Sequence, residues 1–193
     1  EAFAAAGRPL AGLDGGDRRL RHAFPELGLE VLLLKDRDLL LYVERGAADC
    51  GVVGRDLLEE LDGDLLVPCE LAGGACRMSL IGPRGASLPA PGSLVRLATK
   101  YPRTAARLLA TRAWSAEILE LSSSIELAPV LGLADLVLDL VESGATIAAH
   151  DLVELEVVRE IAPCFVVQRA AWQVHRSRML ELAAALERGE VRA

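Results

Sequence analysis

The stretch DLVESGAT, residues 139–146, carries the densest chemistry in the chain. An apolar strand pattern ends near Leu140 or Val141, and Glu142, Ser143, Gly144, Ala145 and Thr146 make the turn that follows. Gly144 lets the backbone approach a ligand closely, Ser143 and Thr146 supply hydroxyls, and the N–H groups opening the next helical turn point at the same spot. Those are the parts of an anion cradle. Asp139 and Glu142 would repel a phosphate set against them, but they accept hydrogen bonds from sugar hydroxyls or hold Mg²⁺ through water. A phosphate with a ribose attached satisfies both halves. Local composition alone also allows a plain strand-to-helix turn with a Ser or Thr cap. The segment matches neither a P-loop, for want of Gly-Lys-Ser/Thr, nor the GxGxxG dinucleotide fingerprint.

Further candidates lie scattered along the chain. Arg18 and Arg19 follow a Gly-rich turn in GGDRRL, where guanidinium groups can chelate a polyphosphate bidentately; a charged pair is equally a solvated surface. Lys35 and Asp38 follow a strand pattern, at the C-terminal edge where open α/β sheets take ligands. Asp49, Arg55 and Asp56 flank the next strand, with capping as the alternative role for the two acids. Arg77 begins a strand, as a ligand contact or as a salt-bridge partner. Lys100 and Tyr101 precede Pro102, a residue suited to a first helical turn. Glu126 follows a hydroxyl cluster, so capping competes with ligand contact. His22, His150 and His175 are far apart without metal spacing, and no residue is assigned as a metal ligand.

The elements that must position these residues are legible as short apolar runs bounded by Gly, Pro or charge. Strands are expected at 29–34, 49–54, 77–82, 95–99, 115–121, 134–140 and 163–168. Helices are expected at 37–46, 54–62, 100–112, 124–133 and 176–192. The last has an apolar stripe at Met179, Leu180, Leu182, Ala183 and Leu186. Alternation of the two kinds predicts an α/β protein with mainly parallel sheets. The Pro- and Gly-rich segment 82–93 is the expected crossover between lobes.

With 193 residues, 52% of them apolar, the chain can build one large domain or two smaller lobes. A net charge of −7 excludes a general nucleic-acid groove, so any anionic ligand must be held locally. The four cysteines form no CxxC pair and read as reduced core thiols. No signal-peptide pattern and no apolar run near the ~20 residues of a membrane span is present, which predicts a soluble, cytoplasmic chain with no membrane partner. The sequence opens without Met inside an Ala-rich stretch, so a preceding segment is expected.

Taken in order, YVERGAADCGVVGRD, the CR of GGACRMSLIGP, RLATKYP and SIELAPVLGLADLVLDLVESGAT resemble the short form of ATP phosphoribosyltransferase, from about residue 17 to 170. The resemblance implies a type II periplasmic-binding-protein-like fold with the site in an interlobe cleft. It implies lobe I at 1–86 plus 165–193 and lobe II at 87–164. The implied reaction joins N1 of ATP to C1 of phosphoribosyl pyrophosphate (PRPP) with Mg²⁺ present, the first step of histidine biosynthesis. It assigns Asp139, Glu142, Ser143, Gly144, Ala145 and Thr146 to the ribose and 5-phosphate. Arg18 then steadies the departing pyrophosphate, and Arg19, Lys35, Asp38, Arg55, Arg77, Lys100 and Glu126 line the site. The implied partner is a histidyl-tRNA-synthetase-like regulatory subunit, in a hetero-octamer built around catalytic homodimers. Only about 25 residues follow VVQRA, fewer than the extra regulatory domain of the long form needs, so the short form is expected, and a long form cut at this point would read the same.

The sequence departs from the family pattern at Ser123, Ala148, His150 and Asp151, where Gly, Arg, Asn and Gly are more usual. The cationic turn of the family's opening strand is not in the sequence. A non-catalytic solute-binding module on the same fold is the alternative reading, and a decayed regulatory paralogue is a third.

Overall fold

The computed structural model describes residues 19–71 and 73–188, with the side chain of Arg188 excepted. In chain order it begins with β1 (Arg21–Phe24), a 3-10 turn (Pro25–Leu27), β2 (Leu29–Leu32), α1 (Asp36–Glu44), β3 (Cys50–Gly54), α2 (Arg55–Leu61) and β4 (Leu66–Glu70). It continues with β5 (Cys76–Pro83), β6 (Leu94–Thr99), α3 (Pro102–Arg112), β7 (Ser115–Glu120), α4 (Leu127–Val130), β8 (Leu136–Val141) and α5 (Ala145–Ala149). The last elements are β9 (Leu152–Ile161), β10 (Pro163–Val167), α6 (Arg169–Val174) and α7 (Arg176–Arg188).

These elements form two compact units. One holds the described residues up to Gly74 and those from Ala162 onward, and the other is Ala75–Ile161. The first crossover therefore falls at 74/75 rather than at 86/87, because β5 pairs along its length with β8 and β9. Segment 82–93 joins two strands of one sheet instead of two lobes. The return falls at 161/162 rather than 164/165, because all of β10 pairs with β3 and β4.

In the first unit β10 is the central strand of the order β3-β10-β4, and both pairings are antiparallel. Its residues Cys164, Phe165, Val166 and Val167 are buried, as suits a strand covered on both faces. The stripe of α7 closes one face: Met179, Leu182, Ala183 and Leu186 pack with Phe165, Val167 and Ala171. Leu180 was expected in that stripe but is exposed; it falls outside the i, i+3, i+4, i+7 set that faces the sheet. A separate β1-β2 hairpin turns through the 3-10 turn and Gly28.

The second unit is a five-stranded sheet in the order β7-β6-β8-β5-β9. Pairing is parallel from β7 through β6 to β8, and antiparallel from β8 through β5 to β9. The second unit's sheet is thus mixed, and among the described residues parallel pairing is confined to this one run rather than prevailing throughout. Helices connect only part of the strands, so β8, β5 and β9 meet without the crossovers that parallel neighbours need. The core gathers Ile81, Ala98, Ile125, Ala128, Val137, Val141 and Leu152. Leu80, Leu97 and Leu138 are fully shielded, each worth about 1.5–3 kcal/mol of burial. Pro102 opens α3, as its fixed φ predicts.

Candidate functional site

β6 and β8 run parallel, so both bring their C-terminal ends to one edge of the second unit's sheet. Lys100 leaves the end of β6, and the segment 142–146 leaves the end of β8. Val141 is the last buried residue of β8; Glu142 and Ser143 then emerge into solvent. Gly144 follows at φ +77°, in the left-handed region, and caps α5. The Ala145 N–H donates to Ser143 Oγ at 3.3 Å, and the Gly144 carbonyl accepts from the Ala148 N–H at 3.1 Å. A Cβ at Gly144 would meet only Val141 Cγ1, at 3.9 Å. The need for glycine is therefore conformational: an L side chain is strained at this φ even where space is open.

Beside the turn lies a cavity of about 160 Å³. Ile81, Val137 and Leu152 form apolar walls, while Glu126, Asp139 and Thr146 are its polar members. Lys100 Nζ stands 3.3 Å from Asp139 Oδ1 and 5.3 Å from the centroid of the Tyr101 ring. Asp139 Oδ1 also accepts the Leu140 N–H at 2.8 Å. Tyr101 itself is buried, so its phenol supports rather than lines the surface. Below it, Thr99 Oγ1 donates to the Leu138 carbonyl at 2.7 Å and accepts the Tyr101 N–H at 3.0 Å, tying β6 to β8. Carboxylates that accept, hydroxyls and amides that donate, and one lysine together suit a ligand with an anionic end and a polyhydroxyl body.

Asp139, Glu142, Ser143, Gly144, Ala145, Thr146, Lys100, Glu126 and Arg77 all belong to this unit. Arg77 reaches the turn indirectly: its Nη1 donates to the Glu142 carbonyl at 3.2 Å, while Nε is held by Glu154 at 2.8 and 3.0 Å. Arg19, Lys35, Asp38 and Arg55 belong to the other unit. Arg19 is exposed and its carbonyl meets the His22 ring at 2.9 Å. Lys35 and Asp38 are exposed at the start of α1, where the Lys35 carbonyl accepts the Asp38 N–H at 2.9 Å. Arg55 opens α2 and pairs with Glu70 at 2.5–2.6 Å. Arg18 lies outside the described residues.

Two residues went unread in the sequence, Ser79 and Glu154. Ser79 Oγ donates to Glu154 Oε2 at 2.6 Å, completing the group around Arg77. Period-2 spacing puts Arg77 and Ser79 on one face of β5, but the pairing of β5 with β9 shifts register between Leu80 and Ile81, so the spacing of Glu154 and Glu156 gave no such signal. Asp151, a departure from the family pattern, pairs with Arg84 Nε at 2.7 Å on an exposed surface, so its charge is met there. All four cysteines are free thiols. Burial, aided by Asp49, pushes the Cys50 thiol up to about 11. Among the described residues no group of three or more His, Cys, Asp or Glu is placed to hold a metal ion, and no helix is long and apolar enough to cross a membrane.

Two α/β units, the second with hydroxyls, carboxylates and a left-handed glycine at the ends of its parallel strands, make a binding-protein-like scaffold. The family HisG, ATP phosphoribosyltransferase, matches residues 35–188. The ATP phosphoribosyltransferase of Thermus thermophilus is 46% identical over 171 residues, covering 86% of this chain and 81% of that relative. Its counterpart in Deinococcus deserti is 43% identical over 177 residues, covering 92% and 79%. The ATP phosphoribosyl transferase (HisG:HisZ) complex from Thermotoga maritima gives a TM-score of 0.76 at 26% identity, covering 98% of this chain and 90% of that one. The periplasmic aliphatic sulphonate binding protein SsuA from Escherichia coli shares the fold, with a TM-score of 0.62 at 11% identity, covering 80% and 59%. This chain belongs to the HisG family, and it is an ATP phosphoribosyltransferase of histidine biosynthesis. The fold is the type II periplasmic-binding-protein-like one expected.

Proposed function

We propose that residues 139–146 seat the ribose and 5-phosphate of PRPP, and that the enzyme joins C1 of that ribose to N1 of ATP with loss of pyrophosphate. One observation carries the reading: Gly144 opens α5 in the left-handed region directly beside a cavity whose polar members are Glu126, Asp139 and Thr146. Hydroxyls of Ser143 and Thr146 and the amides of the turn take the phosphate, and Asp139 and Glu126 accept from the ribose hydroxyls. Lys100 offsets the carboxylate charge beside the sugar. Arg19, Lys35, Asp38 and Arg55 remain candidate contacts for ATP and the diphosphate.

The reaction needs little proton transfer, because adenine N1 is already a nucleophile and displacement at C1 depends on orientation and charge neutralisation. Negative charge grows on the departing pyrophosphate, and Arg18 is the residue assigned to meet it. Mg²⁺ neutralises diphosphate charge when bound, and it keeps several waters, so two carboxylates such as Asp139 and Glu142 suit it without a protein cage. The enzyme works in the cytoplasm with a HisZ-like, synthetase-derived regulatory subunit, as catalytic dimers within a hetero-octamer. The HisG:HisZ neighbour supports that partner.

The test is pyrophosphate release by the full-length protein, followed by a coupled assay with and without the regulatory subunit. Release requiring ATP, PRPP and Mg²⁺ together is expected. Arg18→Ala should lower kcat more than it raises either KM, since its contact strengthens as the leaving group charges. Folded protein that binds one small anion and releases nothing would support a solute-binding module instead. Unchanged kcat in Arg18→Ala would remove that residue's role.

A further inference from the structure

Arg77 was a candidate ligand, but its Nε and Nη1 are committed within the unit. Nε donates to both oxygens of Glu154, at 3.0 and 2.8 Å, and Ser79 Oγ, fully buried in the sheet, donates to Glu154 Oε2 at 2.6 Å. The carboxylate is thus held through both oxygens, and the planar guanidinium cannot turn without giving up its Nε contact to Glu154. Nη1 is thereby aimed at the Glu142 carbonyl, 3.2 Å away. The links span three pieces of the unit: Ser79 and Arg77 on β5, Glu154 on β9, and Glu142 at the exit of β8.

A trans peptide is planar, with its C=O and N–H on opposite sides. Holding the Glu142 carbonyl against Arg77 therefore turns the Ser143 N–H the other way, away from the bracket. With Glu154 paired to it, Arg77 brings little net charge of its own to the turn. We infer that Arg77 is a positioning residue: through the Ser79–Glu154–Arg77 bracket it fixes the Glu142–Ser143 peptide so that the Ser143 N–H presents to the phosphate of PRPP. This rests on the reading of 139–146 as the PRPP seat.

The test is steady-state kinetics of the full-length protein with its regulatory subunit, with PRPP and ATP varied separately. Arg77→Gln should raise the KM for PRPP roughly tenfold, the loss of one charge-assisted hydrogen bond, with kcat and the KM for ATP within about twofold. Arg77→Lys keeps the charge but cannot make the fork, and it should behave like Arg77→Gln. Glu154→Gln should shift the PRPP KM in the same direction, and the double variant Arg77→Gln/Glu154→Gln should be no worse than the poorer single one, because the residues act as one unit. The double variant also leaves no unpaired carboxylate, so it guards against misfolding of Arg77→Gln. A merely structural role would lower the melting temperature and kcat and leave both KM values alone, overturning the inference. Wild-type PRPP affinity in Arg77→Lys would overturn it too, showing that charge alone suffices. Thr146→Val separates the two levels: if it raises the PRPP KM while Arg77→Gln does not, only the bracket fails. If Thr146→Val leaves that KM unmoved, the PRPP seat itself is misplaced and the inference falls with it.

Discussion

Replacing Gly144 by Ala isolates what the turn's backbone conformation is worth. The residue sits at φ +77°, and the added methyl would meet nothing closer than Val141 Cγ1 at 3.9 Å. Steric overlap therefore contributes almost nothing. The cost is that of an L residue in the left-handed region, about 1–2 kcal/mol. Part of that is relieved by letting the turn drift, and a drifting turn loses the alignment of Ser143, Ala145 and Thr146. Expressed wholly in binding, 1–2 kcal/mol corresponds to a rise of roughly 5- to 30-fold in the KM for PRPP. The assay is initial rate of pyrophosphate release at saturating ATP with PRPP varied, alongside thermal melting. Gly144→Asn is the decisive companion. Asn tolerates positive φ better than Ala but is larger, so a conformational requirement predicts Asn milder than Ala by a few-fold. Asn as damaging as Ala, or more so, would refute the reasoning and show that close approach of the ligand, rather than φ, demands glycine.

Two other predictions follow from charge and burial. Arg96 donates to both oxygens of Asp135, through its guanidinium at 2.6 Å and its backbone N–H at 2.8 Å, which holds that carboxyl below the usual range. Folding therefore favours the carboxylate; the contribution is present above the unfolded value near pH 4 and is lost as pH falls through the depressed native value. Melting temperature should drop on that acid limb, and Asp135→Asn should flatten it; an unchanged profile would count against the pair. The Cys50 thiol, pushed up to about 11, is thiolate in only about one molecule in a thousand at pH 8. Alkylation of Cys50 by iodoacetamide in the folded protein should be on the order of a hundredfold slower than that of a free thiol, as read by peptide mass spectrometry, and equal rates would contradict the assigned burial.

What could be read from residues alone was whatever depended on local order. The strand, turn and short helix around Gly144 were legible because an apolar run, a hydroxyl pair and a glycine follow one another within a few residues. The face of α7 was legible by its period, with Leu180 misassigned because adjacent apolar residues do not show which one faces in. β4 escaped because Pro68 interrupts it, which an edge strand tolerates and a central one does not; β4 is the edge of the order β3-β10-β4. β9 escaped because its burial does not alternate and its register against β5 shifts twice, so Glu154 and Glu156 among valines and leucines gain meaning only once their partners Arg77, Ser79 and Arg112 are seen. Pairing direction was the largest gap. Alternation of strands and helices suggests parallel neighbours, yet β5 lies between β8 and β9 through contacts over 50 residues apart in sequence. The same long range hid the crossovers at 74/75 and 161/162.

The most direct test of the PRPP seat is a crystal structure of the full-length protein with PRPP bound. The 5-phosphate is expected within hydrogen-bond distance of Ser143 Oγ, Thr146 Oγ1 and the amides of the turn, with ribose hydroxyls donating to Asp139. A phosphate seated elsewhere, with Gly144 and Thr146 facing solvent, would contradict it.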